Sequence, residues 1–124
     1  MYSVNTKKLF PLDCPGSTVN DCIALTKFMA GESVAGGRLK ETGLAHWLSP
    51  DTGATNDYGF TALPGGDRNI NGAFNNIGIN GNWWSLTESN ASNAWFRQMS
   101  YNTNSIIKDD HNKLNGFSVR CVKK

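Results

Sequence analysis

Few residues in this chain have the spacing that reactive chemistry needs. The two histidines, His46 and His111, are expected in separate polar loops, and no Gly-x-Ser-x-Gly turn sets a nucleophile beside either. Glu88 follows Trp83-Trp84-Ser85-Leu86-Thr87, and a carboxylate beside aromatic rings has the setting of a glycosidase acid. Such enzymes work with two carboxylates, and no partner for Glu88 is identifiable. It is expected to accept hydrogen bonds from loop amides. Asp67-Arg68-Asn69-Ile70-Asn71-Gly72 alternates oxygen ligands before a glycine, as the first half of a calcium loop does. The twelfth position, where a bidentate Glu is needed, is Gly78, and flanking helices are missing, so the stretch reads as a polar hairpin loop. Cys14, Cys22 and Cys121 form neither a Cys-x-x-Cys pair nor a zinc-like spacing with histidine. They are either three reduced, mostly buried thiols or include one Cys14–Cys121 disulfide closing nearly the whole chain. No catalytic residue, metal or cofactor is assigned.

Recognition is better represented than reaction. Aromatic rings near Asn and Asp can form a sugar platform, the ring taking the apolar sugar face and the polar groups its hydroxyls. Trp83 and Trp84 are neighbours on a strand and so point to opposite faces; one is expected in the core and the other is free to be exposed. The most regular alternation lies just beyond. Trp95, Arg97, Met99 and Tyr101 share one face of a strand, and Phe96, Gln98, Ser100 and Asn102 share the other. Either the second face meets a partner, or this is an ordinary half-buried strand.

The elements that position these residues follow from the totals and the punctuation. A chain of 124 residues supports one domain, 1–124, with a single core. Thirteen glycines and fifteen asparagines predict many turns and short strands. A net charge of +2, with arginines scattered and only Lys123-Lys124 clustered, excludes the basic footprint of a nucleic-acid binder. No apolar run is long enough to span a membrane. Met1–Phe10 lacks the apolar stretch of a signal peptide, so the chain is read as cytosolic or as a mature fragment.

Along the chain, Leu9–Leu12 reads as an edge strand and Asp13–Gly16 as a turn. Ser17 or Thr18, with Asp21 after it, caps a helix that carries Val19, Cys22, Ile23, Leu25, Phe28 and Met29 at helical spacing and ends near Gly31. A short second helix is expected over Ser33–Lys40, weakened by Gly36-Gly37. Residues 41–57 read as a loop anchored by Leu44, Trp47 and Leu48. Strands are expected at 58–63, 73–79, 82–86, 94–101, 105–108 and 117–122. The class is α+β with short antiparallel strands, one main amphipathic helix and a short second one.

Four stretches, in order, carry a resemblance: Gly36-Gly37-Arg38-Leu39-Lys40, Asn56 to Gly66 (NDYGFTALPGG), Trp83-Trp84-Ser85-Leu86-Thr87-Glu88, and Gly116-Phe117-Ser118-Val119-Arg120-Cys121-Val122. Over roughly residues 22–122 the chain resembles the Fibrobacter succinogenes major paralogous domain family of bacterial, mostly Bacteroidetes-type, surface and secreted proteins. The resemblance implies the C-type-lectin-like fold shared with formylglycine-generating enzymes, and an extracellular or cell-surface location. Residues 1–21 depart from the family, because Cys14-Pro15 is not followed by a Gly-Trp-Arg-Leu-Pro-Thr-like run. The cysteine pair of the formylglycine-generating enzymes and the calcium-sugar motifs of true C-type lectins are absent, so those activities do not transfer.

Residues 94–122 also resemble the variable region of diversity-generating-retroelement target proteins, in which adenine mutation of Asn codons diversifies a displayed surface. The matching positions are Phe96, Gln98, Ser100, Asn102, Thr103, Ser105, Ile107, Asp109, Asp110, His111 and Asn112, with Trp95, Arg97, Met99, Tyr101, Ile106 and Lys108 as the fixed scaffold. Phe, Ser, Thr, Ile, Asp and His are each reachable from an Asn codon by changing adenines alone; Gln98 needs a third-base change as well. The other reading is an Asn-rich hairpin. The resemblance implies a non-enzymatic module that binds a protein or glycan at a cell surface through residues 96–112. The alternatives are a structural surface domain and, more distantly, an enzyme related to formylglycine-generating oxidases.

Overall fold

A computed structural model describes residues 18–120; the expected edge strand, the turn before Gly16, and Cys14 and Cys121 lie outside them. Helix α1 (Val19–Phe28) starts where the sequence places it. Thr18 accepts a hydrogen bond from the Asp21 amide at 3.1 Å, and Asp21 Oδ2 accepts one from the Thr18 amide at 2.9 Å. Each side chain thus satisfies an amide that the first helical turn leaves without a partner. Of the expected apolar stripe, Met29 is buried and Leu25 packs on the core, but Phe28 is exposed against the Tyr58 ring.

Helix α2 (Glu32–Leu39) contains both glycines expected to weaken it. They are there for contact. A Cβ on Gly36 would overlap the Ser105 carbonyl oxygen, and the Gly37 amide donates to the Asn104 carbonyl at 3.0 Å. Helix propensity is given up, at roughly 1 kcal/mol per glycine relative to alanine, so that the helix can lie directly on the 104–105 backbone.

The strands form two antiparallel sheets. β1 (Asp67–Arg68) pairs with β2 (Phe74–Asn75), and β3 (Asn80–Glu88), β4 (Asn93–Ser100) and β5 (Ile106–Asn112) form a sheet in that order. Phe96 lies opposite Trp84 and Asp109, and Gln98 opposite Asn82 and Ile107. The register of β3 shifts between Trp84 and Glu88, and the Ser85 hydroxyl donates to the Trp95 carbonyl there at 3.0 Å, taking a place the ladder has vacated. The class is α+β, as expected, but none of the expected strands keeps its bounds.

Residues 58–63 are not a strand. Asn56 Oδ1 accepts the Thr61 amide at 2.7 Å, and Thr61 adopts φ 54°, so a side chain closes this turn and only Ala62 reaches a neighbour, in an isolated bridge with Lys40. Within 73–79 only Phe74 and Asn75 pair, because Asn76 at φ 62° and Gly78 at φ 79° turn the chain. The strand expected at 105–108 runs on to Asn112. The segment from Gly116 is held by single bridges, Gly116 to Arg68 of β1 and Ser118 to Trp83 of β3. In the 41–57 loop Trp47 is the anchor; Leu44 and Leu48 are exposed.

The main core lies between the helices and one face of the three-stranded sheet and contains Met29, Leu39, Trp47, Ala62, Met99 and Ile106. A smaller core of Trp84, Ala94, Phe96 and Phe117 covers part of the opposite face. Lys40 is wholly buried and holds two loops to the sheet. Its Nζ donates to the carbonyls of Thr52, Ser100 and Thr103 at 2.9, 3.0 and 3.2 Å and lies 3.4 Å from Asp51 Oδ1. Burial pushes the Lys40 ammonium down from its ordinary range and the Asp51 carboxyl up, each opposed by the other's charge.

Candidate functional site

Among the described residues a small core covers part of the second face of the sheet, and beside it lies a polar cleft of about 310 Å³. Register explains its make-up. Asn82, Gln98 and Ile107 form one row across the sheet, and Trp84, Phe96 and Asp109 the next. Phe96 and Phe117 form the floor with ring centroids 4.9 Å apart, and Trp84 stacks on Phe117 at 4.3 Å. Gln98, Asp109, Asp110 and His111 line one side. Asp67, Asn69 and Asn76 of the β1–β2 hairpin line the other.

Most of these polar groups are fixed by neighbours. Gln98 Nε2 donates to Asn82 Oδ1 at 2.9 Å, and Asn76 Nδ2 donates to Asp67 Oδ1 at 2.6 Å. Asp110 Oδ2 accepts from Ser89 Oγ at 2.6 Å and Asn93 Nδ2 at 3.1 Å, and these two bonds, the serine's first, hold its carboxyl below the usual carboxylate range. The exposed His111 ring lies nearly parallel to Phe117 at 6.1 Å. A second recess beside the cleft is lined by Asn69, Ile70, Asn71, His111, Asn112 and Asn115, so His111 and Asn69 border both. Carboxylate and carboxamide groups outnumber cations here, which suits a ligand rich in hydroxyl or N–H donors.

Of the residues expected to face a partner, Phe96, Gln98, Asp109, Asp110 and His111 come together at the cleft, and Asn112 at the adjoining recess. Phe96 requires a correction: it is 8% exposed and belongs to the second core, so it supplies a floor and little open area. Ser100 donates to Asn80 Oδ1 at 2.8 Å at the far end of the sheet. Asn102, Thr103 and Ser105 lie in the β4–β5 connection, where Thr103 accepts from the Ser105 amide at 3.1 Å and its carbonyl binds Lys40. Ile107 is exposed in the row beside Gln98.

The expected scaffold set divides too. Arg97, Met99 and Ile106 are buried, Trp95 and Tyr101 are half-buried, and Lys108 is exposed with its Nζ 4.7 Å from the Trp95 ring centroid. Both Trp83 and Trp84 pack into cores, one on each face. Among the described residues Glu88 meets a lysine in place of the expected loop amides: its Oε1 lies 2.6 Å from Lys113 Nζ. His111 sits on β5 and not in a loop. Asp67 to Gly72 closes a polar hairpin, with the Ala73 amide bonded to Asn71 Oδ1 at 3.0 Å. No cluster of His, Cys, Asp and Glu able to hold a metal occurs among the described residues.

Sequence reasoning missed Asp67, Asn69, Asn76, Asn82 and Phe117 as lining residues. Asn82 was accessible, since two-residue alternation in β3 puts it on the face of Trp84. The hairpin residues reach the cleft through isolated bridges, Gly66 to Gly81 and Arg68 to Gly116, which no local pattern announces.

The chain belongs to the Fibrobacter succinogenes major domain family, whose model it matches over residues 2–123. Comparison with curated proteins and with solved structures finds no match. Among the described residues no helix is long and apolar enough to cross a membrane.

Proposed function

We propose that this chain is a non-enzymatic ligand-binding module of an extracellular or cell-surface protein, built on a C-type-lectin-like topology. The cleft lined by Gln98, Asp109, Asp110 and His111 takes the ligand, a cell-surface glycan or a polar segment of a surface protein. The observation that carries this reading is convergence: five positions singled out by the variable-region resemblance, Phe96 and Gln98 by alternation as well, line one concavity. Its volume of about 310 Å³ lies near the lower end of the ~300–1,000 Å³ range of small-ligand sites, enough for a sugar unit or one polar side chain. The floor offers ring area, and the rim offers acceptors held in place by hydrogen bonds, so little ordering is required on binding.

The same positions are those proposed to be diversified by a retroelement. On this reading Gln98, Asp109 and His111 vary to change specificity, while Met99 and Ile106 stay fixed in the main core. A reverse transcriptase and a near-identical, Asn-richer repeat beside the gene are expected. Homologues invariant at these three positions contradict diversification.

The binding reading is tested by screening the chain on arrayed glycans and cell-surface proteins beside a Gln98→Ala/Asp109→Ala/His111→Ala variant. A ligand is expected whose affinity falls at least about tenfold in the variant, a loss normal for a few central contacts. A ligand bound equally by both proteins contradicts the cleft. No ligand for either indicates a structural surface domain.

A further inference from the structure

Asp67 is the buried carboxylate of the cleft, and it has no cation. It lines the cleft from the β1–β2 hairpin and is 8% exposed. Among the described residues no lysine, arginine or histidine lies within ion-pair distance of it. Asn76 Nδ2 donates to its Oδ1 at 2.6 Å, whereas Oδ2 has no hydrogen-bond partner among the described residues and is not sealed from solvent. Buried charges in folded proteins are paired, because removing one from water uncompensated is costly. A carboxylate held deep in a concavity, with one oxygen open, calls for a cation from outside the chain.

The cations nearby do not supply it. Arg68 follows Asp67 on the strand and so points the other way, over the Phe74 ring. Lys108 lies over Trp95, and Lys113 donates to Glu88 and to the Ala91 carbonyl. Asp109 and Asp110 add two more acid groups to the lining, which contains neither lysine nor arginine. The open acceptors also specify a shape. Asn82 Nδ2 donates to the Gly66 carbonyl at 3.4 Å, so Asn82 Oδ1 is the atom that takes Gln98 Nε2, and Gln98 Oε1 is left as an acceptor. Asp109 Oδ1 takes the Asp110 amide at 2.8 Å and leaves Oδ2. Single oxygens on separate residues suit the three diverging N–H donors of an ammonium. An arginine fork takes both oxygens of one carboxylate, and Asn76 already holds one of Asp67's.

We propose that the cleft takes a lysine side chain of a protein ligand, its ammonium bound by Asp67 with Gln98 and Asp109 beside it. This deepens the binding reading above and rests on it. An amino sugar fits less well, because it stacks on a broad open ring face, and Phe96 and Phe117 are only 8% and 4% exposed. Because Asp67 lies outside residues 96–112, variation at the rim changes what surrounds the lysine and not the requirement for it.

The test titrates the isotope-labelled full chain with Nα-acetyl-lysine methylamide, its Nε-acetylated form, the arginine counterpart and glucosamine. Saturable shifts of the Gln98 and Asn82 side-chain amides are expected with the lysine probe. Nε-acetylation keeps the stem and removes the charge, and is expected to weaken binding at least about tenfold, the scale of a charge-assisted hydrogen bond. Asp67→Asn keeps an acceptor for Asn76 and is expected to erase that preference. No saturable shift in the cleft, equal binding of the Nε-acetylated probe, or tighter binding of the arginine probe or glucosamine each overturns the proposal. These outcomes are read on the unmutated chain and hold even if the variant fails to fold. A ligand from the arrays that is lost in the Gln98/Asp109/His111 variant but indifferent to Asp67→Asn overturns the lysine assignment alone and leaves the cleft a binding site. A ligand indifferent to both variants overturns the cleft reading and this proposal with it.

Discussion

Phe96 shows how a side chain can belong to a fold and to a site at once. It is packed against Trp84 and Phe117, and its outer edge is the floor of the polar cleft. Truncating it to alanine is expected to cost about 3–5 kcal/mol in urea unfolding, whereas His111→Ala, on the exposed rim, is expected to cost less than about 1 kcal/mol. Equal costs for the two would mean that floor and rim are not distinct. Asp110 gives a second test through pH. Its folded pKa is depressed by the bonds from Ser89 and Asn93, so their contribution to stability is present above the ordinary carboxylate range. It is lost as pH falls through the depressed folded value. The unfolding midpoints of the native chain and Asp110→Asn should therefore differ at pH 7 and converge in acid. A gap that ignores pH would show that the carboxylate charge is not what these bonds engage.

Elements in this protein are short, and buried contacts between loops do much of the work that long strands do elsewhere. Lys40 joins the chain near Thr52 to the end of β4 and to Thr103, with its charge matched by Asp51. Lys40→Met leaves that carboxylate and three carbonyls without their cation, and a loss of about 3–5 kcal/mol is expected. Gly36→Ala, which drives a methyl group into the Ser105 carbonyl, is expected to cost about 1–3 kcal/mol. Thermal unfolding of the two variants checks both values, and a Gly36→Ala protein as stable as the parent would mean that α2 does not rest on this connection. These contacts also mark where sequence reading stops. The cap of α1 was legible because Thr18 and Asp21 satisfy each other within one turn, and β4 was legible because its alternation is local. Alternation separates two faces but does not say that both are covered. Phe96 was misplaced because its cover, Phe117, arrives from twenty-one residues downstream through a single-bridge segment. Residues 58–63 misled because the Asn56 side chain takes the amide that a strand partner would have taken.

For the molecule as a whole, the two faces of the sheet differ in what packs on them. One face carries both helices and the main core. The other carries a small aromatic core and, beside it, the polar cleft, roofed on one side by the β1–β2 hairpin. Membership of the Fibrobacter succinogenes major domain family places the whole matched segment, 2–123, in one unit of descent. A scaffold whose stability resides mainly on the helical face can change the rim of the opposite face at small cost, which is what a binding module with variable specificity requires. The most direct test is chemical-shift mapping of the isotope-labelled chain as the ligand selected on the arrays is added. The account predicts that perturbations concentrate on the Gln98 and Asn82 side-chain amides, the Asp109 backbone and the His111 ring. Perturbations concentrated instead on residues 102–105 or on α2, with the cleft amides unmoved, would contradict it.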